Sequence, residues 1–251
     1  MAVDGEESMN KEMQNHPETV VSLSEKIHHS LWEKIVTLQY MPGEKLSEAA
    51  IARELNCSRI PVREAIKRLA SEGALDVYPQ RGSFVSRIDL RQVSQTRYLR
   101  EILETHVVLE DYDKGLLDPL VPILNTMVHQ QLEKIKFNEL EDLTSLDNDF
   151  HDIFYHIDDK GFVQKHTGRY DVHYIRARRF ALGIEHDSTH RFDDTHNIVL
   201  QHQKIIDAIT RHDKQGLSDM LVEHFRNINY TLHSQVEAGN LADVFCNVDD
   251  H

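Results

Sequence analysis

Cysteine is scarce, a membrane-length apolar run is missing and positive charge is in deficit, and each lack removes a class of protein. Two cysteines in 251 residues, Cys57 and Cys246, cannot build a disulfide framework, so the chain reads as reduced and cytoplasmic. No apolar run approaches the roughly 20 residues that cross a bilayer, and the first residues lack the apolar stretch of a secretion signal, so no membrane partner is expected. The formal net charge of −14 excludes a uniformly basic coat for nucleic acid. Internal repeats and low-complexity tracts are also missing.

The acidic excess is uneven. Residues 1–19 carry 1 basic against 5 acidic side chains, 20–88 carry 10 against 8, and 89–251 carry 17 against 29. Only the middle block is positive, so contact with DNA belongs there, and the acidic remainder faces away from phosphate. Polarity without period marks 1–19 as a disordered acidic tail. Residues 20–88 form a first domain, 89–238 a second, and the Asp- and Asn-rich 239–251 read as a frayed end.

In the first domain a helix is expected over 23–38, with Ile27, Leu31, Ile35 and Leu38 on one face. The stretch Met41-Pro42-Gly43 turns the chain. Ser47 is placed to cap a second helix that buries Ile51, Ala52 and Leu55, and Asn56 tolerates the left-handed conformation at its end. Ser58 then caps a third helix in which Val62, Ala65, Ile66 and Leu69 form a buried stripe, with Pro61 acceptable in the first turn. Gly73 stops it. Two short strands, 75–78 and 83–87, joined by Pro79-Gln80-Arg81-Gly82, make a β-hairpin with a basic tip. The fold class is therefore mainly α, with a winged helix-turn-helix carrying a small hairpin wing. Behind it, helices at about 90–113, 117–136, 138–157, 160–183, 192–212 and 214–237 and their short connections give an all-α antiparallel bundle.

The third helix has what a DNA-reading helix needs: a capped N-terminus, long basic side chains and a stripe that fixes its orientation. Arg59 and Arg63 are assigned to bases or adjacent phosphates, because a guanidinium fork can donate two bonds to one guanine. Lys67 and Arg68 are assigned to the DNA backbone, and Gln80, Arg81 and Gly82 of the wing tip to the neighbouring groove. A basic helix side taken alone is often only solvated; the full series of helices, hairpin and punctuation favours DNA.

The stretch PGEKLSEAAIARELNCSRIPVREAIKRLASEGALDVYPQRGSFV, residues 42–85, resembles the N-terminal domain of GntR-family transcriptional regulators. Two positions depart from the family's pattern: Ala49 stands where members often carry a basic residue, and Cys57 where valine is usual. The first removes a contact from the second helix; Cys57 is expected to pack as a small hydrophobe.

Seventeen histidines invite a metal. Asp147 and His151 are four apart in a helical stretch and so share a face. His202 and His224 each lie eleven residues from Asp213, the centre of a polar connection, so a helical hairpin brings them to one height. One carboxylate and three imidazoles suit zinc, nickel or another first-row divalent ion. Such pairs also arise by chance in so acidic and histidine-rich a chain. His156, His166, His173, His186, His190, His196 and His212 show no comparable convergence and read as surface or pocket lining. The second domain resembles the FCD ligand-binding domain found in the GntR subfamily named for its fatty-acid-responsive member, on DNDFH, HQKIIDAI, MLVEH and RYLREILE. That resemblance implies a divalent metal held by Asp147, His151, His202 and His224 and a small organic-acid effector beside it. An effector carboxylate needs cations, for which Arg100, Arg176, Arg178 and Arg179 are the candidates; salt bridging to acidic neighbours is their other use.

The resulting expectation is a ligand-responsive regulator, a repressor that binds a palindromic double-stranded DNA operator as a homodimer. Two rivals remain open: a metal sensor, and a helical metalloenzyme with a DNA-binding tether, which lacks a clearly placed general base.

Overall fold

Ser22 begins the first helix, α1 (Leu23–Val36), where its hydroxyl accepts the Glu25 amide at 3.2 Å. The computed structural model describes residues 22–137, 139, 142–167, 171–181, 191–238 and 243–246; the segment 1–19, His186 and His190 lie outside them. After α1 come β1 (Lys45–Leu46), α2 (Glu48–Glu54), α3 (Arg59–Ser71), β2 (Leu75–Tyr78) and β3 (Gly82–Val85). Ser47 caps α2 through the Ala50 amide at 3.3 Å. Asn56 turns the chain from α2 into α3 with φ 49°, a conformation that its short polar side chain tolerates. Gly73, at φ 77°, ends α3, and the Ala74 amide reaches back to the Leu69 carbonyl at 2.9 Å.

The three strands form one antiparallel sheet in the order β1-β3-β2, with Lys45 opposite Phe84 and Tyr78 opposite Gly82. The hairpin expected from the sequence thus gains a third strand and ends at Val85 rather than Arg87. Ile27, Leu31, Ile35, Ile51, Val62 and Ile66 fill the core of this head, each fully buried aliphatic side chain contributing roughly 1.5–3 kcal/mol. Cys57 packs at its edge.

A two-residue strand β4 (Ile88–Asp89) leads into α4 (Leu90–Asp113), whose N-terminus Asp89 caps through the Arg91 and Gln92 amides. The bundle continues with a short 3-10 turn into α5 (Val121–Lys136), then α6 (Leu143–His156), α7 (Gly161–Lys165), α8 (Val172–Ala181), α9 (Arg191–Thr210) and α10 (Lys214–Ala238). α10 lies along α4 and α9, α5 lies between α9 and α6, and α8 rests on α4 and α10. Leu124, Phe150, Ile205, Ile209 and Leu217 are at the centre of its core.

Two expectations meet a different chain path. The single helix expected over 160–183 is two, because Thr167 folds back on Gln164 and Asp171 accepts the amides of His173 and Tyr174, starting α8 afresh. Within the stretch read as a frayed end, Phe245 and Cys246 form β5, which pairs in parallel with β4. Phe245 is buried there beside Ile88 and Phe180, an apolar anchor that the surrounding Asp and Asn residues conceal. Among the described residues no helix is long and apolar enough to cross a membrane.

Candidate metal centre and nucleic-acid interface

Ser58 occupies the N-cap of α3 but makes no side-chain hydrogen bond to the helix end. Its exposed hydroxyl and the first amides of α3 therefore stay available to a phosphate. Arg59, Arg63 and Lys67 are exposed along one flank. Arg63 donates through Nε and Nη2 to Glu48 Oε2 on α2, at 3.2 and 3.0 Å; the hydrogen bond and the carboxylate charge raise its pKa. The pair is solvent-accessible, so it orients the fork more than it stabilises the fold. Arg68 lies off this flank. Its guanidinium meets Glu72 at 3.0 Å and Glu25 at 3.9 Å, because five residues beyond Arg63 is well round the helix from it. Arg81 sits at the exposed wing tip, 5.7 Å over the Tyr78 ring. Gln80 (φ 60°) and Gly82 (φ 109°) make the tight turn beside it.

On the bundle side, Asp147 and His151 project from α6, His202 from α9 and His224 from α10, and their four ligand atoms lie within 4.8 Å of one another. The rings are held from behind. His202 Nδ1 lies 2.8 Å from Gln131 Oε1, while the Gln131 amide nitrogen donates to the Leu146 carbonyl, so this Nδ1 must carry the proton. His151 Nδ1 is 3.0 Å from the Glu104 carboxylate, and His224 Nδ1 is 3.2 Å from Gln201 Oε1. Each Nε2 thus presents its lone pair inward. His151 Nε2 and His224 Nε2 stand 3.0 Å apart, and the buried His202 Nε2 has no hydrogen-bond partner, with Asp147 Oδ1 at 3.5 Å. Facing lone pairs and an unpartnered buried nitrogen are what a cation would satisfy. The set therefore fits a first-row divalent ion, whose ligands sit at roughly 2.0–2.2 Å.

A cavity of about 40 Å³ opens on this cluster, walled by Arg100, Tyr174, Arg178, Ile198 and Phe225. Arg100 donates to Glu104 Oε1 at 2.5 Å and to the Tyr174 hydroxyl at 2.9 Å. Burial opposes the Arg100 charge, but Glu104 more than offsets it and raises its pKa. Burial also works against the Glu104 carboxylate, yet Arg100 and His151 hold its pKa at about 2. Arg178 pairs with Asp147 and donates to Asn148 at 2.7 Å; despite burial, its charge keeps the Asp147 carboxyl far below the usual range. The other two arginine candidates are elsewhere. Arg176 points to the joint with the head, and Arg179, though buried, does not line this cavity. Glu104, Gln131 and Gln201 were not singled out from the sequence. Glu104 closes the RYLREILE stretch, one turn from Arg100 on α4, but that stretch gave it no role toward a histidine. His156, His166 and His212 are exposed, whereas His173 is buried at the joint.

Burial pushes the metal-free His202 imidazole down to about 3 from its ordinary value of 6.5. Below pH 6.5 the unfolded chain takes up a proton that the folded chain refuses until near pH 3, so stability present above 6.5 is lost as pH falls through that window. The thermal midpoint of chelator-treated protein is expected to drop steadily between about pH 7 and about pH 5, the His202 ring alone costing up to about 1.4 kcal/mol per unit. A flat profile would contradict a buried neutral ring.

Residues 23–85 match the profile described as bacterial regulatory proteins, gntR family, and residues 95–227 match the FCD domain. An HTH-type transcriptional regulator in an unstable DNA locus of Streptomyces ambofaciens is 32% identical over 204 residues, covering 80% of this chain and 81% of the relative. The HTH-type transcriptional repressor RspR of Escherichia coli is 28% identical, covering 82% and 87%. Among solved structures, E. coli McbR/YncC superposes with a TM-score of 0.65 at 21% identity, over 86% of this chain and 99% of that one.

Proposed function

Since the chain belongs to the gntR family of bacterial regulatory proteins and carries an FCD domain, and is a DNA-binding transcriptional regulator rather than an enzyme, we propose that it is an effector-controlled repressor. It binds a palindromic operator as a homodimer, and a small organic acid at a divalent metal in the bundle sets its affinity. The observation that carries this reading is the cavity, where two arginines and the tyrosine hydroxyl that Arg100 holds face a cluster of metal-ligand type. A divalent ion held by Asp147, His151, His202 and His224 supplies a Lewis-acid contact for a carboxylate. Arg178 and Arg100 stand on the same wall, each paired with a carboxylate, beside the apolar Ile198 and Phe225. On α3, Ser58, Arg59, Arg63 and Lys67 read the operator, with Arg81 on the flanking phosphates. Tyr98 and Ile102, one turn apart on α4 and 59% and 49% exposed, give the bundle an apolar strip suited to a second copy.

The small cavity favours a second reading, in which the metal itself is the signal. About 40 Å³ admits water-sized guests, so an organic acid needs its wall to move. Operator binding followed by fluorescence anisotropy separates the two readings, with stripped and zinc- or nickel-loaded protein and a panel of hydroxy- and dicarboxylic acids. A change of at least about tenfold that needs both acid and metal supports acid sensing. The same change with metal alone assigns metal sensing, and no change with either sinks both.

A further inference from the structure

The helix α8 has two working faces. Tyr174, Arg178 and Ala181 line the cavity, while Val172 and Arg176, roughly half a turn away at about 3.6 residues per turn, meet the head. Val172 is 1% exposed and belongs to the head's own core, beside residues of α1 and α3. Arg176 is completely buried. Its guanidinium donates to the Ser86 carbonyl at 2.6 Å, to Ser86 Oγ at 2.9 Å and to the Val172 carbonyl at 3.0 Å.

Ser86 Oγ in turn donates to the Gly73 carbonyl at 2.7 Å, and Gly73 is the residue that ends α3. His173 Nδ1 lies 3.2 Å from both the Asp89 amide and Arg176 Nη2. Both are donors, so Nδ1 is an acceptor and the ring is neutral; burial and then the Arg176 charge hold its pKa down. A Cβ on Gly73 would stand 3.4 Å from His173 Nε2, so ring and turn touch. From the other side of the joint the head contributes Leu38. This residue is held at φ 61°, a left-handed conformation that a leucine rarely adopts. It is 3% exposed in a cluster with Ile88, Tyr174, Ala177, Phe180 and Phe245. Tyr174 therefore belongs both to this joint and to the cavity wall.

We infer that α8 latches the DNA-reading head to the bundle, with Arg176 as the positioning residue that ties the end of α3 and the exit of the wing to the helix that walls the cavity. A buried arginine that gives Nη1 and Nη2 to the Ser86 carbonyl and hydroxyl of the head and Nε to its own helix, with no carboxylate in ion-pair contact among the described residues, is a geometric clamp. Its role is to make the head's orientation follow that of α8. A shift of α8 at Tyr174 or Arg178 then reaches α3 through the Arg176, Ser86 and Gly73 chain without passing along the connecting peptide. Only the sensing half of this inference rests on the proposed ligand set; the latch itself does not.

The chain's one tryptophan, Trp32 on α1, packs against the head core and shares a surface pocket with Asp171 and Val172, so its emission follows the head and its seat on α8, whereas far-UV ellipticity is dominated by the bundle helices. In the wild type the two signals are expected to melt together. In Arg176→Met the Trp32 midpoint should fall below the ellipticity midpoint by about 5 °C or more. Zinc, which raises the midpoint of whatever binds it, should move both signals in the wild type but only ellipticity in the variant. Leu38→Asn, which suits the left-handed backbone and removes the apolar plug, should separate the signals in the same way if Arg176→Met does not fold. Separate transitions in the wild type, or coincident ones in the folded variants, would overturn the latch. If zinc leaves the wild-type ellipticity midpoint unmoved, the metal reading fails, and the metal-free melts still decide the latch.

Discussion

Arg63→Ala is expected to weaken operator binding by at least about 100-fold for the dimer, with thermal unfolding unchanged. Arg63 is exposed in the middle of the basic flank of α3, and its side chain is 59% accessible even while it pairs with Glu48. Removing it leaves no cavity and no buried partner, so the fold has little reason to respond. DNA binding does, because the fork can satisfy two acceptors on one guanine and alanine satisfies none. Anisotropy with a labelled operator, beside a melting curve of the same preparation, makes the measurement. Wild-type affinity in the variant would remove Arg63 from the reading surface. Arg68→Ala is the internal control: it lies well round α3 from Arg63, on the side that faces Glu72 and Glu25, so a much smaller effect is expected.

His202→Ala is expected to lower metal affinity by more than about 100-fold, beyond the 10- to 100-fold typical of losing an outer-shell partner. His202 is completely buried, stacked 4.1 Å from the Phe150 ring and tied through Nδ1 to Gln131. Its Nε2 is therefore fixed on the cluster by three elements at once. Elemental analysis after dialysis against zinc reads the loss, and chelation gives a second readout. Stripping should lower the wild-type midpoint, since a ligand at 1,000 times its Kd adds about 4 kcal/mol, and should leave the His202→Ala midpoint where it was. Full metal content in the variant, or a chelator shift equal to that of the wild type, would rule out the proposed ligand set.

The head was legible in the sequence because its determinants are local. Ser47 and Ser58 each stand at the start of a helix, Asn56 and Gly73 take the left-handed conformations that end two helices, and the stripe from Val62 to Leu69 repeats at helical spacing. The four residues of the cluster were legible for a related reason: Asp147 and His151 share one helix face, and His202 and His224 are equidistant from one turn. Their support was not. Glu104, Gln131 and Gln201 act across helix pairs, and nothing within a turn of any of them marks the imidazole it holds.

The arginines of α8 show where local chemistry stops. Spacing puts Arg176 and Arg178 two residues apart, hence far round the helix from each other, but leaves open which one faces the cavity and which the head. Packing decided it: Val172 enters the head core and turns Arg176 toward Ser86, which leaves Tyr174 and Arg178 against Asp147 and the histidines. The break before α8 and the return of Phe245 to pair beside Ile88 are of the same kind. Helix starts, stops and buried stripes follow from interactions within a few residues, which the order of amino acids contains. The cavity wall, the outer partners of the histidines and the latch depend on side chains brought together from well beyond a helical turn, 23 positions between Gln201 and His224 and 90 between Ser86 and Arg176, and only the folded chain sets those distances.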